Sequence, residues 1–217
     1  MLIGERMTYP VITVRPDAPI MDAYDLMQKE KIRRLPVVDK KGNLIGMLSE
    51  REILLASPSQ ATSLSIWELN YLMSKVTVDE IMTLEVITVD VNTPLEEAAR
   101  IMAENKIGGL PVMRDGKMAG IITETDLFKI FLELFAAHEP GIRITVMVPN
   151  VPGELSKLTS AIFMAGGNIL ALGTSRGEDT NTAEITLKVE GIKETELRNA
   201  VKPHAEKIID VRSMKAI

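Results

Sequence analysis

Two short acidic motifs are the strongest candidates for binding chemistry in this chain: Ser49-Glu-Arg-Glu52 and Thr123-Glu-Thr-Asp126. A carboxylate in such a motif can accept two hydrogen bonds from neighbouring hydroxyls, such as the vicinal pair of a ribose. The hydroxyl residue and the free N–H groups at the start of a following helix can face phosphate. The same pattern is also a capping box, in which the acidic residue only satisfies the helix start. Glu suits that structural role better than Asp, so the second motif favours a ligand more than the first.

Arg33-Arg34 and Gly153 also have both a ligand-binding and a structural interpretation. Arg33-Arg34 could bind phosphate or be an ordinary solvated pair. Gly153 could let backbone N–H groups meet a ligand carboxylate, or serve only a strand-to-helix turn. His138 and His204 are far apart in the sequence and lack metal-ligand spacing, so we expect surface residues and no metal site.

Composition excludes several broad classes. The 217 residues carry 25 Lys and Arg against 30 Asp and Glu, a net charge of -5, with no long block of either sign. This balance disfavours non-specific nucleic-acid binding, which depends on clustered basic residues. No run approaches the roughly 18 apolar residues of a membrane span, and the N-terminus lacks the pattern of a signal peptide. With no Cys, thiol catalysis, disulfides and thiolate metal sites are absent, and a cytoplasmic location is predicted.

An internal repeat with a spacing of 75 residues, from Met7-Thr8 to Met82-Thr83, organises the first two thirds of the chain. The same step relates Pro19 to Pro94, Ile32 to Ile107, and Leu35-Pro36-Val37 to Leu110-Pro111-Val112. After one deletion, Gly46 matches Gly120 and Ser49 matches Thr123. Because so many positions stay in step, this region is predicted to contain two copies of one structural unit.

Each copy predicts the order β-α-β-β-α. A β-branched strand leads through a proline turn into a helix with apolar residues at i, i+3 and i+7, and two strands and a final helix follow. The strands are predicted at Val11–Val14, 35–38 and 44–48, and at Val86–Val89, 110–113 and 118–122; the final helices start at Ser49 and Thr123. One copy covers its apolar sheet face poorly, so the two are expected to pack together.

Two helices flank the second copy. Residues 63–74 predict a connecting helix with apolar Leu64, Trp67, Tyr71 and Met73, the Trp serving core packing. The closing helix, predicted at 127–137, is apolar nearly all round and carries Phe128, Phe131 and Phe135. We expect it to be buried against another domain or subunit.

A different pattern follows a linker at 138–141. Alternating Ile142, Ile144, Val146 and Val148 predict a half-buried strand, and a helix ended by Gly166-Gly167 comes next. Strands near 168–174 and 183–189, a helix near 194–201 and a strand near 207–211 complete a ferredoxin-like βαββαβ order, with helices over one sheet face. The fold class is therefore α+β. The predicted domains are repeats at 1–62 and 76–137, a connecting helix at 63–75, and a final domain at 142–217.

The repeated strand–helix–Leu-Pro-Val–strand–Gly-x-x-Ser/Thr unit resembles a CBS domain, and two in tandem resemble a CBS pair, or Bateman module. The last part, with its strand order and its Asn150-Val-Pro-Gly153-x-Leu155 loop, resembles an ACT domain. The whole chain, including Ser65-Ile-Trp-Glu-Leu-Asn-Tyr71, is similar to prokaryotic CBS–ACT proteins of the acetoin-utilisation (AcuB) type. The resemblance implies a regulatory module. CBS pairs bind AMP, ADP, ATP or S-adenosylmethionine in two clefts between the repeats, and ACT domains often bind amino acids at interfaces. Only the family name links the chain to acetoin or acetyl-CoA metabolism.

The resemblance also implies which residues bind. One adenosyl site would join Thr123 and Asp126 to Ile12, Thr13, Asp17 and Arg34, with Arg34 clamping phosphate. A second, weaker site would use Ser49, Arg51, Glu52, Ile87, Thr88 and Asn92. It has Glu52 where the family has Asp, and Gly109 where the first site has Arg34, although Arg51 could replace that charge. An amino acid would contact Asn150, Val151, Gly153, Leu155 and Asn168. No cofactor is required besides the regulatory adenosyl ligand.

Three classes of function remain open. The leading hypothesis is a ligand-sensing regulator, in which an adenosyl ligand biases how the ACT domain pairs with itself or with a target enzyme. The alternative is an unliganded dimerisation scaffold that modulates a partner enzyme, which Glu52 and Gly109 favour. An enzyme is disfavoured, because the resemblance leaves no separate catalytic domain and the chain lacks a phosphate loop, a His-Glu-x-x-His motif and a Cys nucleophile. A hydrolase using carboxylates alone stays open. The edges of the ACT sheet and the Phe-rich helix predict a homodimer.

Overall fold

The computed structural model describes residues 1–57, 71 and 73–215. They form two compact units, Met1–Leu127 and Phe128–Ile217, which both combine helices with β-sheets. The α+β class predicted from the sequence is confirmed. Within the described ranges, no helix has the length and apolar character needed to cross a bilayer.

The first repeat contains α1 (Ile20–Glu30), β1 (Arg34–Val38), β2 (Leu44–Ser49) and α2 (Glu50–Ala56). The apolar face of α1 is buried through Ile20, Ala23 and Met27, as its periodicity predicts. The two strands pair antiparallel, with Arg34 opposite Ser49 at the end where α2 begins. This register places the Arg33-Arg34 pair and the first acidic motif side by side.

The second repeat begins with α3 (Val78–Ile81) and β3 (Val89–Asp90), followed by α4 (Leu95–Asn105). It continues with β4 (Gly109–Arg114), β5 (Lys117–Thr123) and α5 (Glu124–Leu134). Strand β4 lies between β3, which is parallel to it, and β5, which is antiparallel. In register, Gly109 lies opposite Thr123, the counterpart of Arg34 opposite Ser49.

The two repeats pack together by exchanging their leading segments. Ile3, which is fully buried, belongs to the core of the second repeat, and the Thr8 N–H donates to the Ile121 carbonyl (2.8 Å). Conversely, Val78 belongs to the core of the first repeat, and Thr83 exchanges two backbone hydrogen bonds with Met47 (2.9 Å each). Each repeat therefore completes the hydrophobic core of the other.

The second unit contains β6 (Gly141–Pro149), α6 (Glu154–Met164), β7 (Asn168–Arg176), β8 (Thr182–Glu190), α7 (Glu194–Val201) and β9 (Lys207–Met214). Its strands form one antiparallel sheet in the order β7-β8-β6-β9. Leu158 and Ile162 of α6 and Leu197 and Val201 of α7 share one core with the apolar side chains of β6 and β8. The ferredoxin-like arrangement, with both helices on one sheet face, is confirmed.

Two strand predictions in the repeats are wrong in extent. Of Val11–Val14 only Val14 pairs, because the Val14 N–H meets the Pro36 carbonyl (3.0 Å) while the residues before it have no strand alongside. Of Val86–Val89 only Val89 enters a strand, since the Val86 N–H turns back to the Leu84 carbonyl (3.1 Å). The β-branched residues signal a strand in both places, but pairing depends on a neighbour that sequence alone does not locate.

The closing helix also differs from prediction. It runs over Glu124–Leu134, so its start agrees with the helix predicted from Thr123, but it ends before the predicted residue 137. It ends there because Ala136 adopts a left-handed conformation (φ 47°) and the Ala137 N–H donates back to the Leu132 carbonyl (2.8 Å). Within a single chain, Phe128 and Phe131 are 70% and 54% exposed, so the expected burial is not met there.

Strand β6 is buried on both faces rather than half-buried, since Thr145 and Met147 are also inaccessible. The segment after α5 helps to cover this second face of the sheet, because Phe135 lies against Gly173 and the buried Lys188 donates to the Ala136 carbonyl (2.6 Å). Most of the predicted connecting helix, Trp67 included, lies outside the described residues. Of its described members Met73 is buried and Tyr71 is exposed.

Candidate functional site

A cavity of about 580 Å³ lies between the two repeats of the first unit. The end of β2 and the start of α2 form one wall, and Thr83, residues 85–87 and residues 106–109 of the second repeat form the other. We call it the Ser49 cleft. Its volume falls in the range of roughly 300–1,000 Å³ typical of small-molecule sites. Four residues predicted for the second adenosyl site line it: Ser49, Arg51, Glu52 and Ile87.

The other two predicted members of that site, Thr88 and Asn92, are not among its lining residues. Asn92 is occupied locally, since its backbone N–H and its side-chain amide both donate to Asp90 Oδ1 (2.9 and 3.0 Å). Thr88 follows Ile87 directly and is exposed.

One part of the cleft is apolar. Leu54 and Leu55 of α2 contribute side chains that are 61% and 75% exposed, and Val86 and Ile87 face them from the second repeat. Exposed aliphatic side chains that line a cavity supply a surface on which a flat apolar group can be buried. This part of the cleft can therefore accept a ring system such as a nucleobase.

The cleft is also lined by four basic side chains: Arg33, Arg34, Arg51 and Lys106. Among the described residues, none of the four makes a side-chain hydrogen bond or an ion pair with a carboxylate. Burial lowers the pKa of Arg34, although the nearby Glu124 carboxylate acts in the opposite direction. Guanidinium and ammonium groups without partners in a cavity are suited to bind phosphate oxygens.

Arg34 reaches across the boundary between the repeats because glycines face it. A Cβ on Gly109 would lie 3.3 Å from Arg34 Cδ and 3.6 Å from Thr123 Cγ2, and a Cβ on Gly108 would overlap Arg34 Nη2 and Glu124 Oε2. The guanidinium thus lines the Ser49 cleft and also borders the Thr123 motif, for which the sequence predicts it. From the sequence, Gly109 only deprives the second site of a side chain that could bind phosphate. In the structure, its lack of a side chain leaves room for Arg34.

Both carboxylate oxygens of Glu52 are engaged. The Ser49 N–H donates to Oε2 (2.6 Å), and the Thr83 hydroxyl of the second repeat donates to Oε1. The Glu52 N–H in turn points to Ser49 Oγ (3.4 Å), which completes a capping box on α2. In the first motif the structural role is therefore present, together with a contact between the repeats.

Asp126 caps its helix as well but keeps one oxygen available. The Thr123 N–H (2.9 Å) and hydroxyl (2.7 Å) both donate to Asp126 Oδ2. Oδ1 accepts no hydrogen bond from any described residue. Because Asp is one methylene shorter than Glu, the second motif combines a capped helix start with a free acceptor.

The remaining residues predicted for the Thr123 site lie on the loop before α1. This loop starts beside β5, where Thr8 pairs with Ile121, and Ile12 is 36% exposed. No hydrogen bond joins Ile12, Thr13 or Asp17 to Thr123 or Asp126 within the described residues. Asp17 Oδ1 lies 3.9 Å from Arg15 Nε, and its side chain is exposed.

In the second unit, a cavity of about 550 Å³ is lined by Asn150, Val151 and Leu155 of the predicted amino-acid site. Gly153 caps α6 with φ 98°, a conformation that favours glycine. Glu154, which follows it, is buried and accepts from Lys157 Nζ (2.6 Å). A carboxylate at this helix start opposes the binding of a ligand carboxylate there.

The structure does not bring Asn168 to this cavity. Asn168 begins β7 and donates to Glu190 Oε1 (2.8 Å), whereas the cavity lies at Thr174–Arg176, roughly 20 Å along the strand at about 3.4 Å per residue. The side-chain amide of Asn150 donates to the Thr180 carbonyl (3.2 Å), and its backbone N–H donates to the Asn181 carbonyl (2.6 Å).

Sequence reasoning missed Arg33, Lys106 and the two leucines of α2 as members of the Ser49 cleft. Lys106 corresponds to Lys31 at the repeat spacing of 75 residues and lies four residues before Leu110, so the position of Arg33 and Arg34 gave no signal for it. In the described part of the chain, no cluster of three or more His, Asp or Glu side chains could hold a metal ion.

Comparison with protein families identifies both parts of the chain. The CBS domain family matches residues 3–59 and 78–133, which together are more than half of the chain. The TTHA0829-like ACT domain family matches residues 140–212. Among curated relatives, inosine-5'-monophosphate dehydrogenase of Aquifex aeolicus is 30% identical over 181 residues, which cover 82% of this chain and 34% of the enzyme. The chain thus spans about a third of the length of that relative.

Solved structures match the tandem repeat. An acetoin utilization protein (AcuB) from Vibrio cholerae aligns at 32% identity with a TM-score of 0.52, covering 64% of this chain and 98% of that one. The CBS domain pair of MJ0100, solved with 5'-methylthioadenosine and S-adenosyl-L-methionine, aligns at 31% identity with a TM-score of 0.51, covering 60% and 95%. CBSX2, solved with AMP, aligns at 32% identity with a TM-score of 0.52, covering 61% and 97%.

The repeat, the exchanged segments and the family matches lead to one assignment. The chain belongs to the CBS domain family, with two CBS domains in tandem followed by a TTHA0829-like ACT domain.

Proposed function

We propose that this protein is a regulator that binds an adenosyl ligand between its CBS domains. The observation that carries the proposal is the Ser49 cleft, in which exposed leucines and four basic side chains line one cavity. The free oxygen of Asp126 adds a candidate acceptor for a ribose hydroxyl at the other motif. Relatives of the same fold were solved with methylthioadenosine, S-adenosylmethionine or AMP, which supports this class of ligand.

The remaining parts of the proposal concern the role of the ACT domain, the partner and the cellular location. We propose that the ACT domain supports a homodimer or senses an amino acid, and that the exposed Phe128 and Phe131 contribute to self-association. The partner would be an enzyme whose activity the bound ligand modulates, in the cytoplasm. The similarity to AcuB supports a link to acetoin metabolism, and the protein itself is proposed to be non-catalytic.

Isothermal titration calorimetry of the full chain with AMP, ATP and S-adenosylmethionine tests this function. At least one of the three is expected to bind saturably, and Asp126→Ala is expected to weaken or remove one binding site. Absence of heat with all three ligands, at protein concentrations that detect micromolar dissociation constants, would contradict the proposal.

The alternative is an unliganded scaffold, and one observation favours it. Both acidic motifs form capping boxes, and Glu52 also accepts a hydrogen bond from Thr83 of the other repeat. These carboxylates therefore stabilise the fold without any ligand. A scaffold would keep its free energy of unfolding unchanged when nucleotide is added. A ligand present at 100 times its dissociation constant would raise it by about 2.7 kcal/mol.

A further inference from the structure

We propose that Arg34 is shared between the Ser49 cleft and Glu124, so that Glu124 weakens the binding of anionic ligands in the cleft. Glu124 belongs to the Thr123 motif and is not among the residues that line the cleft, so it sets the ligand preference from outside the cavity. The inference rests on the proposed function, because it concerns how one of the proposed sites discriminates between phosphorylated and uncharged adenosyl ligands.

Arg34 and Glu124 approach each other beside Gly108. A Cβ on this glycine would lie 2.6 Å from Arg34 Cζ and 2.5 Å from Glu124 Oε2, so the guanidinium and the carboxylate both occupy the space next to it. The guanidinium comes from the first repeat, whereas the glycine and the carboxylate come from the second. Because Arg34 and Gly108 both line the cleft, an opposite charge lies close to Arg34 at the edge of the cavity.

A backbone hydrogen bond holds Glu124 in this position. The Glu124 N–H donates to the Gly108 carbonyl (3.1 Å), and its counterpart in the first repeat, the Glu50 N–H, donates to the Arg33 carbonyl (2.9 Å). The Glu50 side chain also accepts from Gln28 Nε2 (3.0 Å). In contrast, the Glu124 carboxylate accepts no hydrogen bond from any described residue, so it is available to a neighbouring cation.

Charge decides on which side the guanidinium of Arg34 is more stable. Burial lowers the pKa of Arg34, the Glu124 carboxylate raises it, and the neighbouring Arg33 lowers it. On the cleft side, Arg34 shares the lining with three other cations, namely Arg33, Arg51 and Lys106. Because like charges repel and opposite charges attract, the guanidinium favours Glu124 in the absence of an anion. An anion in the cleft reverses this balance, since it neutralises the other cations and offers Arg34 a second partner.

A phosphate in the cleft must therefore compete with Glu124 for Arg34. The competition is modest, because Glu124 is exposed and an ion pair that water screens contributes little. It applies to a ligand that carries phosphate, whereas an uncharged nucleoside gains no charge pairing from the guanidinium. Glu124 is thus a specificity-determining residue, and its neutralisation favours AMP over 5'-methylthioadenosine.

Calorimetry of the full chain in an Asp126→Ala background, which lacks the candidate ribose acceptor of the other motif, isolates the Ser49 cleft. Adding Glu124→Gln is expected to tighten AMP about threefold and to leave 5'-methylthioadenosine unchanged. Glu96→Gln removes an equal charge from an exposed position of α4 and, as the control, should change the affinity for neither ligand. Unchanged or weaker AMP binding in the Glu124 variant, or an equal change for both ligands, would overturn the inference.

A double-variant cycle shows whether Glu124 acts through Arg34. In the same background, Arg34→Gln is expected to weaken AMP about fivefold, because a charged donor is lost. Glu124→Gln should then have no further effect, whereas in combination with Arg34→Lys, which keeps a cation, it should still tighten AMP. If Glu124→Gln tightens AMP equally with and without Arg34, or if Glu96→Gln tightens AMP as much, net charge explains the effect and the inference is overturned.

The proposed function and this inference fail in different ways. If no adenosyl ligand binds the wild-type chain, the proposed function is contradicted, and the inference falls with it. If AMP binds the wild-type chain but not the Asp126→Ala chain, or binds the latter without responding to Glu124→Gln, only the inference is overturned.

Discussion

At the scale of single residues, one methylene separates the two acidic motifs. Glu52 reaches Thr83 of the other repeat while capping its own helix, whereas Asp126 caps its helix and leaves Oδ1 free. The acidic residues at the same position of the two repeats therefore have different hydrogen-bond partners. This difference supports unequal clefts, which the departure of Glu52 from the family pattern already predicted.

Stability should report this difference. Glu52→Ala removes a cap and the contact with Thr83, whereas Asp126→Ala removes only a cap, so the former should cost more free energy of unfolding. Loss of a cap costs about 1 kcal/mol, and loss of a hydrogen bond to a charged group adds about 1 kcal/mol or more. Urea unfolding of both variants measures the effect, with Glu96→Ala, an exposed acid in the first turn of α4, as the control. Equal losses for Glu52 and Asp126 would contradict the structural role of Thr83.

The sequence predicted four residues that line the Ser49 cleft but not the path of Arg34. Ser49, Arg51, Glu52 and Ile87 follow from aligning the two copies with a family pattern. Arg34 instead crosses to the second repeat because Gly108 and Gly109 have no side chains to exclude it. Alignment can show that a glycine replaces an arginine, but not that this opens a space for the arginine of the other copy.

At the scale of secondary-structure elements, the exchange of leading segments is what holds the tandem repeat together. The spacing of 75 residues is the same whether each copy folds on itself or completes its neighbour, so the sequence could not decide between these arrangements. The structure places Ile3 in the core of the second repeat and Val78 in the core of the first. The cleft depends on this exchange, because Thr83, Val86 and Ile87 follow the exchanged segment directly.

A core substitution in the exchanged segment tests this arrangement. Ile3→Ala should lower the free energy of unfolding by about 2–4 kcal/mol, because Ile3 is fully buried against the second repeat. Leu2→Ala, one residue away and 37% exposed, is the matched control and should cost about 0.5 kcal/mol or less. If both variants unfold at the same denaturant concentration as the wild type, the N-terminal segment does not complete that core.

At the scale of the whole molecule, the ACT domain was easier to predict than the tandem repeat. The alternation in β6 and the helix at Glu194–Val201 are read directly from local periodicity, and the strand order follows the ferredoxin-like pattern. The prediction that β6 is half-buried was wrong, because the strand is buried on both faces. Phe135 and Ala136 contact the second face of the sheet at β7 and β8, and because they come from a separate segment, the pattern of β6 itself does not predict this cover.

The central claim is that a nucleotide binds between the CBS domains, and a crystal structure of the full chain grown with saturating ATP tests it most directly. We predict electron density for the nucleotide in the Ser49 cleft, with its base against Leu54 and Ile87 and its phosphates contacting Arg51 and Lys106. A structure in which that cleft holds no nucleotide, while ATP is bound elsewhere on the chain or not at all, would contradict the account.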